Sequence, residues 1–363
     1  MTALCRIAST PQMWCISDLL LTEYRSHVMT EGKLSRFAGA PRWMIVLCVA
    51  LVMSLAGALG IVRATRGHLD SVTRVPAATS ALSPATDGIE NYLLVGSDSR
   101  ASADPNDADY ASMGSEEKNP GMRSDTLILL RYDTNAKSVS MMSIPRDLWV
   151  RMSDNDKFSR VNAGYQRGAD VLLRTIERAL NIPIHHYIEV NFSGFKKIVD
   201  AIGGVHLCVP RGSRDKATGF FIGHKGCKLL TGSKALAYAR SRHFEEKIDG
   251  QWQPEGTGDV GRGTRQRAFI SLLAKEAARY IAQNPLDAHN VLDSFAEAVS
   301  VDDGLDLIDL ARKLRPVGDG SAVSYSLPVT SGWSGSNFVF RLANDAPAVL
   351  AYFAGLGPAP VAG

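Results

Sequence analysis

Arginines and carboxylates recur in this chain where predicted strands and helices begin or end. The stretch AYARSRH, residues 237–243, holds Arg240 and Arg242 two positions apart, directly after a predicted helix. Arginine stays charged, and its planar guanidinium group matches the oxygens of a phosphate. Two such groups beside a packed element indicate an anion-binding site, although the pair alone is equally compatible with an exposed turn.

Residues of the same types lie at the ends of other predicted elements. Ends of strands and starts of helices gather into clefts in α/β proteins, and a helix start adds N–H donors. Together these residues predict one phosphate-binding cleft, whereas each motif singly is compatible with a solvated turn, a cap or a flexible loop. They are Asp98, Arg100, Arg123, Asp125, Arg146 and Asp147, followed by Asp259, Arg262, Arg265, Gln266 and Arg267 in GDVGRGTRQR (258–267).

Two carboxylates a short way apart hold Mg²⁺ together with water and the phosphate oxygens of a substrate. The acids among these residues therefore predict a hard metal ion, Mg²⁺ with Mn²⁺ as the alternative, beside the phosphates. The ligand predicted for this cleft is a pyrophosphate or a group of several phosphates.

An uncharged segment indicates on which side of a membrane this cleft lies. Residues 43–62 carry no charge, and about 20 such residues cross a bilayer core of roughly 30 Å. More lysines and arginines precede the segment closely than follow it, which favours a cytoplasmic N-terminus. No second apolar segment approaches this length, which favours a single-pass protein. A cleaved signal peptide is the alternative, but signal segments are shorter and start earlier.

Most of the chain is therefore predicted to lie outside the cytoplasm, where there is no nucleotide pool. A lipid-linked pyrophosphate, presented by the membrane that anchors the protein, becomes the expected ligand. The net charge of +3 argues against nucleic acid as a partner. The apolar content of 45% and charged content of 21% argue against general disorder.

Two cysteines follow the uncharged segment, Cys208 and Cys227. In an oxidising compartment they predict a disulfide that closes a loop of about 20 residues and contributes about 3 kcal/mol. Two buried free thiols are the alternative. A metal site formed by these two cysteines is poorly supported, because no CxxC spacing accompanies the nearby histidines.

The predicted elements interleave strands and helices, which indicates a layered α/β fold with a mixed sheet. Three strands at 91–98, 125–133 and 138–145 are expected to be neighbours in that sheet, and a further strand is expected at 206–210. Helices are predicted at 168–180, 192–204, 231–240 with Thr231 as N-cap, 264–283 and 304–314. Residues 1–42 are predicted to be a cytoplasmic tail and 63–88 a linker.

Seven motifs in one order resemble the LytR–CpsA–Psr family, over about residues 89–283. They are VGSDSR (95–100), RSDTLILLRYD (123–133), SIPRDLWV (143–150), VNAGY (161–165), IVDAIGGV (198–205), LTGSKALAYARSRH (230–243) and GDVGRGTRQR (258–267). The resemblance implies a three-layer α/β/α sandwich with a central mixed sheet, preceded by one transmembrane helix. It places an extracytoplasmic catalytic domain at 89–340 and a C-terminal tail at 341–363.

The resemblance also implies an activity. Members of the family transfer a glycan phosphate from a polyprenyl-pyrophosphate carrier to peptidoglycan, typically onto the C6 hydroxyl of N-acetylmuramic acid. The pair Cys208 and Cys227 resembles one found in actinobacterial members, which points to arabinogalactan or a similar wall glycan. A lipid-pyrophosphate hydrolase and a non-catalytic regulator that binds wall lipids are the alternatives.

Carried over by motif, the family's site residues fall on positions of this chain. Asp98 and Asp125 would hold Mg²⁺, Asp259 would orient the arginines, and Asp98 is the first candidate for the base. Asp98, Arg100 and Asp259 form the predicted catalytic set. The residues expected to bind the pyrophosphate are Arg100, Arg123, Arg146, Arg240, Arg242, Arg262 and Gln266.

The chain departs from the family pattern at three places. Arg160 stands where a lysine is frequent, and Arg267 stands where a second glutamine is frequent. Residues 243–261 form a longer stretch than usual, interpreted as a lid or as a contact for the acceptor glycan. The polyprenyl chain is expected against the inward faces of helices 168–180, 192–202 and 266–282, although most of their apolar residues also suit simple packing on the sheet.

Overall fold

A mixed sheet of seven strands lies at the centre of the fold. The computed structural model describes residues 67, 71–85, 88–97, 124–285 and 287–361, except for the side chain of Asp125. The strands of this part of the chain are β1 (Thr73–Arg74), β2 (Ile89–Ser97), β3 (Ser124–Asp133), β4 (Ser138–Ser143), β5 (Trp149–Arg151), β6 (Phe158–Arg160), β7 (His186–Asn191), β8 (Val205–Val209), β9 (Ser213–Asp215), β10 (Phe220–Ile222), β11 (Gly226–Leu230), β12 (Glu245–Ile248), β13 (Gln251–Pro254), β14 (Val299–Val301), β15 (Val323–Ser326), β16 (Val329–Ser334) and β17 (Asn337–Leu342).

Helices alternate with these strands along the chain. Those in the described residues are α1 (Pro76–Thr79), α2 (Ala169–Leu180), α3 (Phe192–Ala201), α4 (Gly232–Arg240), α5 (Gly258–Gln283), α6 (Ala288–Ala298), α7 (Leu307–Lys313), α8 (Arg315–Gly318) and α9 (Ala346–Phe353), and Val161–Arg167 forms a 3-10 helix. The predicted α/β class is confirmed.

The central sheet has the order β1-β14-β7-β2-β3-β4-β15. Three of its pairs are parallel, β1 with β14, β2 with β7 and β4 with β15, and the other three are antiparallel. The prediction that β2, β3 and β4 are neighbours in a mixed sheet is confirmed. Antiparallel pairing here follows from the short TNAK turn between β3 and β4, which leaves no room for a crossover.

Helices pack on both faces of this sheet. Successive side chains of a strand point to opposite faces, so Leu93 and Val95 of β2 join one apolar core while Tyr92 joins the other. The first core includes side chains of α2 and α9, and the second includes side chains of α6 and α7.

The domain extends beyond both predicted boundaries. Within the interval 63–88, predicted as a linker, β1 pairs with β14 and Ala78 of α1 is fully buried. Within 341–363, predicted as a tail, Phe353 of α9 is fully buried in the first core. The composition of 63–88, rich in alanine and proline, suggested a linker because pairing with strands that lie far along the chain leaves no local signal.

A disulfide joins the two strands β8 and β11. These strands are antiparallel, and their register places Cys208 directly opposite Cys227. The predicted disulfide is confirmed. β9, β10, β12 and β13 form a separate four-stranded sheet in the order β10-β9-β12-β13.

Removing this disulfide is expected to destabilise the fold without changing its architecture. The double variant Cys208→Ala/Cys227→Ala should lose about 3 kcal/mol of unfolding free energy, since the cross-link shortens the free loop of the unfolded chain. Urea denaturation of the oxidised protein, the reduced protein and the double variant measures this. Equal midpoints for the oxidised and reduced wild type would contradict the expectation.

Within the part of the chain that the structure describes, no helix has both the length and the apolar character needed to span a bilayer. The predicted tail at 1–42 and the predicted transmembrane segment at 43–62 lie outside the described residues.

Candidate active site

The site lies at the edge of the sheet where β2, β4 and β7 end and β3 begins. The register pairs Ser97, the last residue of β2, with Ser124 on β3 and with Asn191 on β7. Ser143 ends β4 at the same edge, opposite Ile128 of β3. This edge is where the sequence predicted its polar residues to converge.

Helix α5 crosses this edge with its first two turns. It begins at Gly258, six residues before the predicted start at 264, so Asp259, Arg262 and Gln266 follow one another on one helical face. A Cβ atom at Gly263 would lie 2.9 Å from the Cβ of Ser143, which is too close for any other residue. The glycines that suggested a loop in the sequence therefore allow the helix to approach the sheet.

The buried core of the site is an ion pair within α5. Arg262 Nη2 lies 2.7 Å from Asp259 Oδ1, and both side chains are only 5% exposed. Arg242 Nε lies 3.5 Å from the same oxygen. Because this carboxylate is shielded from water, it holds the two guanidinium groups strongly in place.

A second carboxylate, Asp147, contacts three arginines. Its Oδ1 lies 3.2 Å from Arg160 Nε, and its Oδ2 lies 3.6 Å from Arg146 Nε and 3.9 Å from Arg242 Nη2. Arg242 therefore connects both carboxylates. The arginine cluster consists of Arg146, Asp147, Arg160, Arg242, Asp259 and Arg262; its four cations outnumber its two anions, which suits a ligand with two or more negative charges.

An apolar cavity of about 310 Å³ opens beside this cluster. Arg240, Arg262 and Gln266 contribute to its lining, and the other lining groups are almost all apolar. Its apolar walls are built by β2, β7 and β14 and by helices α3, α4, α5 and α6, through Leu94, Val95, Val190, Phe192, Phe195, Ile198, Leu236, Phe269, Ile270, Leu273, Ala274, Ala277, Phe295 and Val299. Helix α2, one of the three helices expected to face the polyprenyl chain, contributes none of these lining residues and packs in the first apolar core.

The two arginines of AYARSRH take different directions. Arg240 is the last residue of α4, and its guanidinium carbon lies 5.2 Å from the ring centre of Phe192 on the cavity wall. The chain becomes extended at Ser241, which ends the helix. Arg242 then reaches the two carboxylates of the arginine cluster, so one arginine borders the cavity and the other joins the cluster.

Gln266 holds α5 to the sheet and to α4 at once. Its Nε2 donates to Thr126 Oγ1 at 2.8 Å and to the backbone oxygen of Ala239 at 2.9 Å. Both donor hydrogens are used in these contacts. Gln266 therefore fixes the cavity lining, and its remaining side-chain oxygen is the group that can contact a ligand.

Arg267, the position that departs from the family pattern, is buried below the site. It is 2% exposed and donates to three hydroxyl oxygens, at 2.7 Å to Ser143 and at 3.3 Å to Thr264 and Ser326. Burial lowers the pKa of its guanidinium group to about 10. It therefore supports the packing of α5 on β4 and β15 from beneath.

The structure adds a residue that sequence reasoning missed, Asp215 at the end of β9. Its Oδ2 accepts hydrogen bonds from Ser241 Oγ at 2.6 Å and from the backbone N–H groups of Arg242 at 3.0 Å and His243 at 2.9 Å. Its Oδ1 accepts from the N–H of Ala217 at 2.8 Å. Asp215 thus fixes the backbone that carries Arg242, but a lone aspartate before a turn leaves no such signal in the sequence.

Removal of this carboxylate is expected to weaken both the fold and the site. Burial raises the pKa of Asp215, but its hydrogen bonds outweigh burial and the net pKa is lowered. Its stabilising contribution is therefore present at neutral pH and is lost as the pH falls below about 4, the ordinary range of an aspartate. Asp215→Asn should cost about 2–3 kcal/mol at pH 7 and less in acid, as measured by urea unfolding at several pH values.

Asp133→Asn is the matched control, because Asp133 also accepts backbone N–H bonds in a turn but lies at the far end of β3. The activity of Asp133→Asn should stay unchanged, whereas that of Asp215→Asn should fall. Equal activity of the two variants would contradict the positioning role.

The structure brings together six of the residues predicted for the site, Arg146, Arg240, Arg242, Asp259, Arg262 and Gln266. Asp98, Arg100 and Arg123 lie outside the described residues, as does the side chain of Asp125. Among the residues that are described, no three histidine, cysteine, aspartate or glutamate side chains are grouped to hold a metal ion. The predicted insertion at 243–261 contains the hairpin β12–β13, which pairs with β9.

The chain is similar in sequence to a known family and to named relatives. The sequence model of the LytR_cpsA_psr family matches residues 63–351. The polyisoprenyl-teichoic acid–peptidoglycan teichoic acid transferase TagU of Halalkalibacterium halodurans is 34% identical over 204 residues, which are 56% of this chain and 62% of TagU. The cell wall biosynthesis protein LcpA of Corynebacterium glutamicum is 27% identical over 279 residues, which are 68% of this chain and 51% of LcpA.

These matches span about half to three fifths of the length of the two relatives. Among solved structures, a LytR-Csp2A-Psr enzyme from Actinomyces oris superposes with a TM-score of 0.59 at 24% identity, covering 78% of this chain and 96% of that one. At that identity the likeness concerns the fold. The family match covers most of the chain, and the chain belongs to the LytR–CpsA–Psr family.

Proposed function

We propose that the protein transfers a glycan phosphate from a polyprenyl-pyrophosphate carrier to peptidoglycan. The observation that carries this proposal is the apolar cavity with Arg240, Arg262 and Gln266 in its lining. A hydrocarbon chain gains free energy by entering such a cavity, and guanidinium groups bind phosphates. A ligand with a long apolar chain attached to a pyrophosphate uses both parts at once.

The relatives support the same class of reaction. TagU is named for the transfer of polyisoprenyl-linked teichoic acid to peptidoglycan, and LcpA is named for cell wall biosynthesis. For this chain the proposed glycan is arabinogalactan or a similar wall polymer, on the basis of its cysteine pair. The donor is a polyprenyl-pyrophosphate-linked glycan and the acceptor is peptidoglycan.

The proposed reaction breaks the phosphoanhydride bond of the pyrophosphate and forms a phosphodiester bond to the acceptor. The acceptor hydroxyl oxygen bonds to the phosphorus that carries the glycan, and the bond from that phosphorus to the bridging oxygen of the pyrophosphate breaks. The bridging oxygen leaves with the polyprenyl phosphate, and the hydroxyl proton passes to a base, for which Asp98 is the first candidate. Positioning and neutralisation of charge by the arginines supply most of the catalysis.

Arg240 and Arg262 are proposed to neutralise the charge that grows on the leaving polyprenyl phosphate, because they line the cavity that receives its chain. Arg242 and Arg146 would bind the phosphate that carries the glycan. Asp147 and Asp259 hold these guanidinium groups in position before the ligand arrives, so little reorganisation is needed during the reaction.

The sequence next to the paired ends of β2 and β3 supports a magnesium site. Ser97 and Ser124 pair across β2 and β3, and Asp98 and Asp125 are their next neighbours in the sequence. We propose that these two carboxylates hold Mg²⁺, with Mn²⁺ as the alternative, because paired carboxylates next to phosphates suit a hard cation. When bound, the ion would neutralise charge on the phosphate oxygens.

The protein is proposed to be anchored in the cell membrane by residues 43–62, with its catalytic domain on the extracytoplasmic side. The uncharged sequence of that segment supports the anchor. The disulfide between Cys208 and Cys227 supports an oxidising compartment. A membrane anchor would also bring the cavity close to a lipid-linked donor.

The test uses the full chain in detergent micelles, a synthetic polyprenyl-pyrophosphate oligosaccharide, and isolated peptidoglycan, with and without Mg²⁺. Glycan covalently attached to muropeptides, dependent on Mg²⁺, is the expected result. Release of free glycan phosphate without attachment would replace the proposal with a hydrolase. Donor binding with neither product would replace it with a lipid-binding regulator.

A further inference from the structure

A polar groove of about 330 Å³ lies beside the arginine cluster, and most of its lining has no part in the steps described above. It includes Arg146, Asp147 and Arg160 of the cluster. Its remaining lining is neutral and is contributed by β5, β6, the 3-10 helix and β17, through Trp149, Ser159, Asn162, Ala163, Gln166 and Asn337.

Backbone contacts hold the walls of this groove together. The N–H of Asn162 donates to the carbonyl oxygen of Arg146 at 3.2 Å, and the N–H of Phe340 donates to that of Asp147 at 3.0 Å. Arg160 also donates to the backbone oxygen of Phe338 at 3.3 Å. These contacts fix the walls of the groove, in which β17 meets residues that lie far earlier in the chain.

The chemistry of the lining matches a carbohydrate. One hydroxyl and three carboxamides, from Ser159, Asn162, Gln166 and Asn337, supply neutral donors and acceptors of the kind that sugar hydroxyl groups require. The indole of Trp149 supplies an aromatic surface on the same lining. Such a groove offers the hydroxyl groups of a sugar many hydrogen bonds.

Two exposed aromatic side chains continue this surface on the hairpin of β16 and β17. Trp333 is 68% exposed and Phe338 is 45% exposed, with their ring centres 5.6 Å apart. The backbone oxygen of Phe338 contacts Arg160 of the groove, and Asn337 of the same strand lines it. Exposed aromatic rings that flank a polar groove indicate a binding surface, and they are suited to stack on the C–H faces of sugar rings.

The separation of the groove from the cavity indicates which of the two substrates the groove binds. Of the described residues that line the two, none is shared. Arg242 contacts Asp147, which lines the groove, and Asp259, which pairs with the cavity residue Arg262. In phosphoryl transfer, the attacking oxygen and the leaving oxygen lie roughly in line, on opposite sides of the phosphorus. If the cavity receives the leaving polyprenyl phosphate, the attacking hydroxyl needs a separate approach to the phosphate, and the groove beside the arginine cluster offers one.

We infer that the groove and the aromatic pair Trp333 and Phe338 bind the acceptor, a glycan strand of peptidoglycan, and present its hydroxyl to the phosphate. This assignment rests on the proposed transferase function. The hydrogen bonds of the groove hold one sugar next to the arginine cluster, and the aromatic pair holds a sugar further along the strand.

The test compares Trp333→Ala and Asn337→Ala with the wild-type full chain. Each variant should raise the acceptor concentration needed for half-maximal transfer about tenfold, the factor expected for loss of one good contact. Affinity for the lipid-linked donor should stay at the wild-type value. A direct measurement is the binding of soluble, uncrosslinked peptidoglycan strands to the full chain without donor, which each variant should weaken by the same factor.

Leu356→Ala is the matched control, because Leu356 is also apolar and 76% exposed but follows α9. Phe221→Ala tests the rival surface formed by β10 and the hairpin β12–β13, where Phe221 contacts Trp252. Weaker acceptor use by Phe221→Ala, with Asn337→Ala unchanged, would overturn the assignment. Weaker donor binding by Asn337→Ala would also overturn it, because the groove would then hold the donor glycan.

The experiments test the transferase function and the assignment of the groove separately. If the wild type attaches no glycan to peptidoglycan, the transferase function fails. Binding of peptidoglycan strands, and its weakening in Asn337→Ala, then still supports the groove as a glycan site. Wild-type transfer with both variants indistinguishable from it would overturn the groove alone.

Discussion

Replacing Arg242 by alanine should lower the transfer rate about a thousandfold, the lower range for removal of a catalytic arginine. Arg242 is the residue that contacts both Asp147 and Asp259, at 3.9 and 3.5 Å. Its guanidinium group is therefore placed between the cavity and the groove, where the proposed phosphate would lie. The rate is measured as glycan attached to peptidoglycan under saturating donor and acceptor.

The same variant should leave the thermal midpoint of unfolding nearly unchanged. Arg242 is 41% exposed, and ion pairs that remain in contact with water contribute only about 0–1 kcal/mol. Arg262 would be a poorer choice, because both Arg262 and Asp259 are 5% exposed. Its removal would take the closer partner, at 2.7 Å, from this buried carboxylate, at a cost of several kcal/mol by the general behaviour of buried pairs, whereas Arg242→Ala leaves that partner in place.

Arg279→Ala is the control for this prediction. Arg279 lies on the same helix as Arg262, is 54% exposed and pairs with Glu276 one turn away, but it does not line the cavity. Its removal should change neither rate nor stability. A loss of activity in Arg279→Ala equal to that in Arg242→Ala would show that the effect is one of overall charge and not of position.

Filling the apolar cavity should block long-chain donors selectively. Ala277 lines the cavity from α5, and in Ala277→Phe a benzyl group would occupy space proposed for the polyprenyl chain. The half-saturating concentration of a long-chain polyprenyl-pyrophosphate donor should rise at least about tenfold, since displaced apolar contacts are worth more than 1.4 kcal/mol. A water-soluble donor analogue with a very short chain should be used as well as by the wild type.

Stability separates this effect from damage to the fold. A phenyl ring that fills an apolar cavity removes empty space, so the thermal midpoint of Ala277→Phe should be unchanged or higher. Ala278→Phe places the same group on the exposed side of α5 and should affect neither donor. Equal losses with long and short donors would contradict a role of the cavity in binding the hydrocarbon chain.

Local patterns in the sequence were sufficient for the class of fold and for part of the site. Short apolar runs and a short turn predicted that β2, β3 and β4 are neighbours, and the structure confirms this. The cysteine pair predicted the disulfide. Arg240 and Arg262 could be singled out because arginine at the end of a packed element is a local feature with a strong chemical meaning.

Helix α2 shows that an apolar stripe in the sequence does not decide on which face of the sheet a helix packs. Its apolar stripe predicts that it packs on a sheet, but a sheet between two helical layers has two faces, and the same stripe suits either. The structure places α2 on the face away from the cavity. The start of α5 is a second example, because its glycines are unfavourable for a helix locally yet are required where Gly263 touches Ser143.

The sequence by itself determined that charged groups suited to a pyrophosphate stand at the ends of strands and helices in an α/β domain. Tertiary structure decided which of them meet, because Asp147, Arg242 and Asp259 are brought into contact by three separate elements. It also decided the roles of Asp215 and Asn337, whose partners lie about 26 to 190 residues away in the chain. Contacts over such separations depend on the packing of the whole domain, and so no local pattern records them.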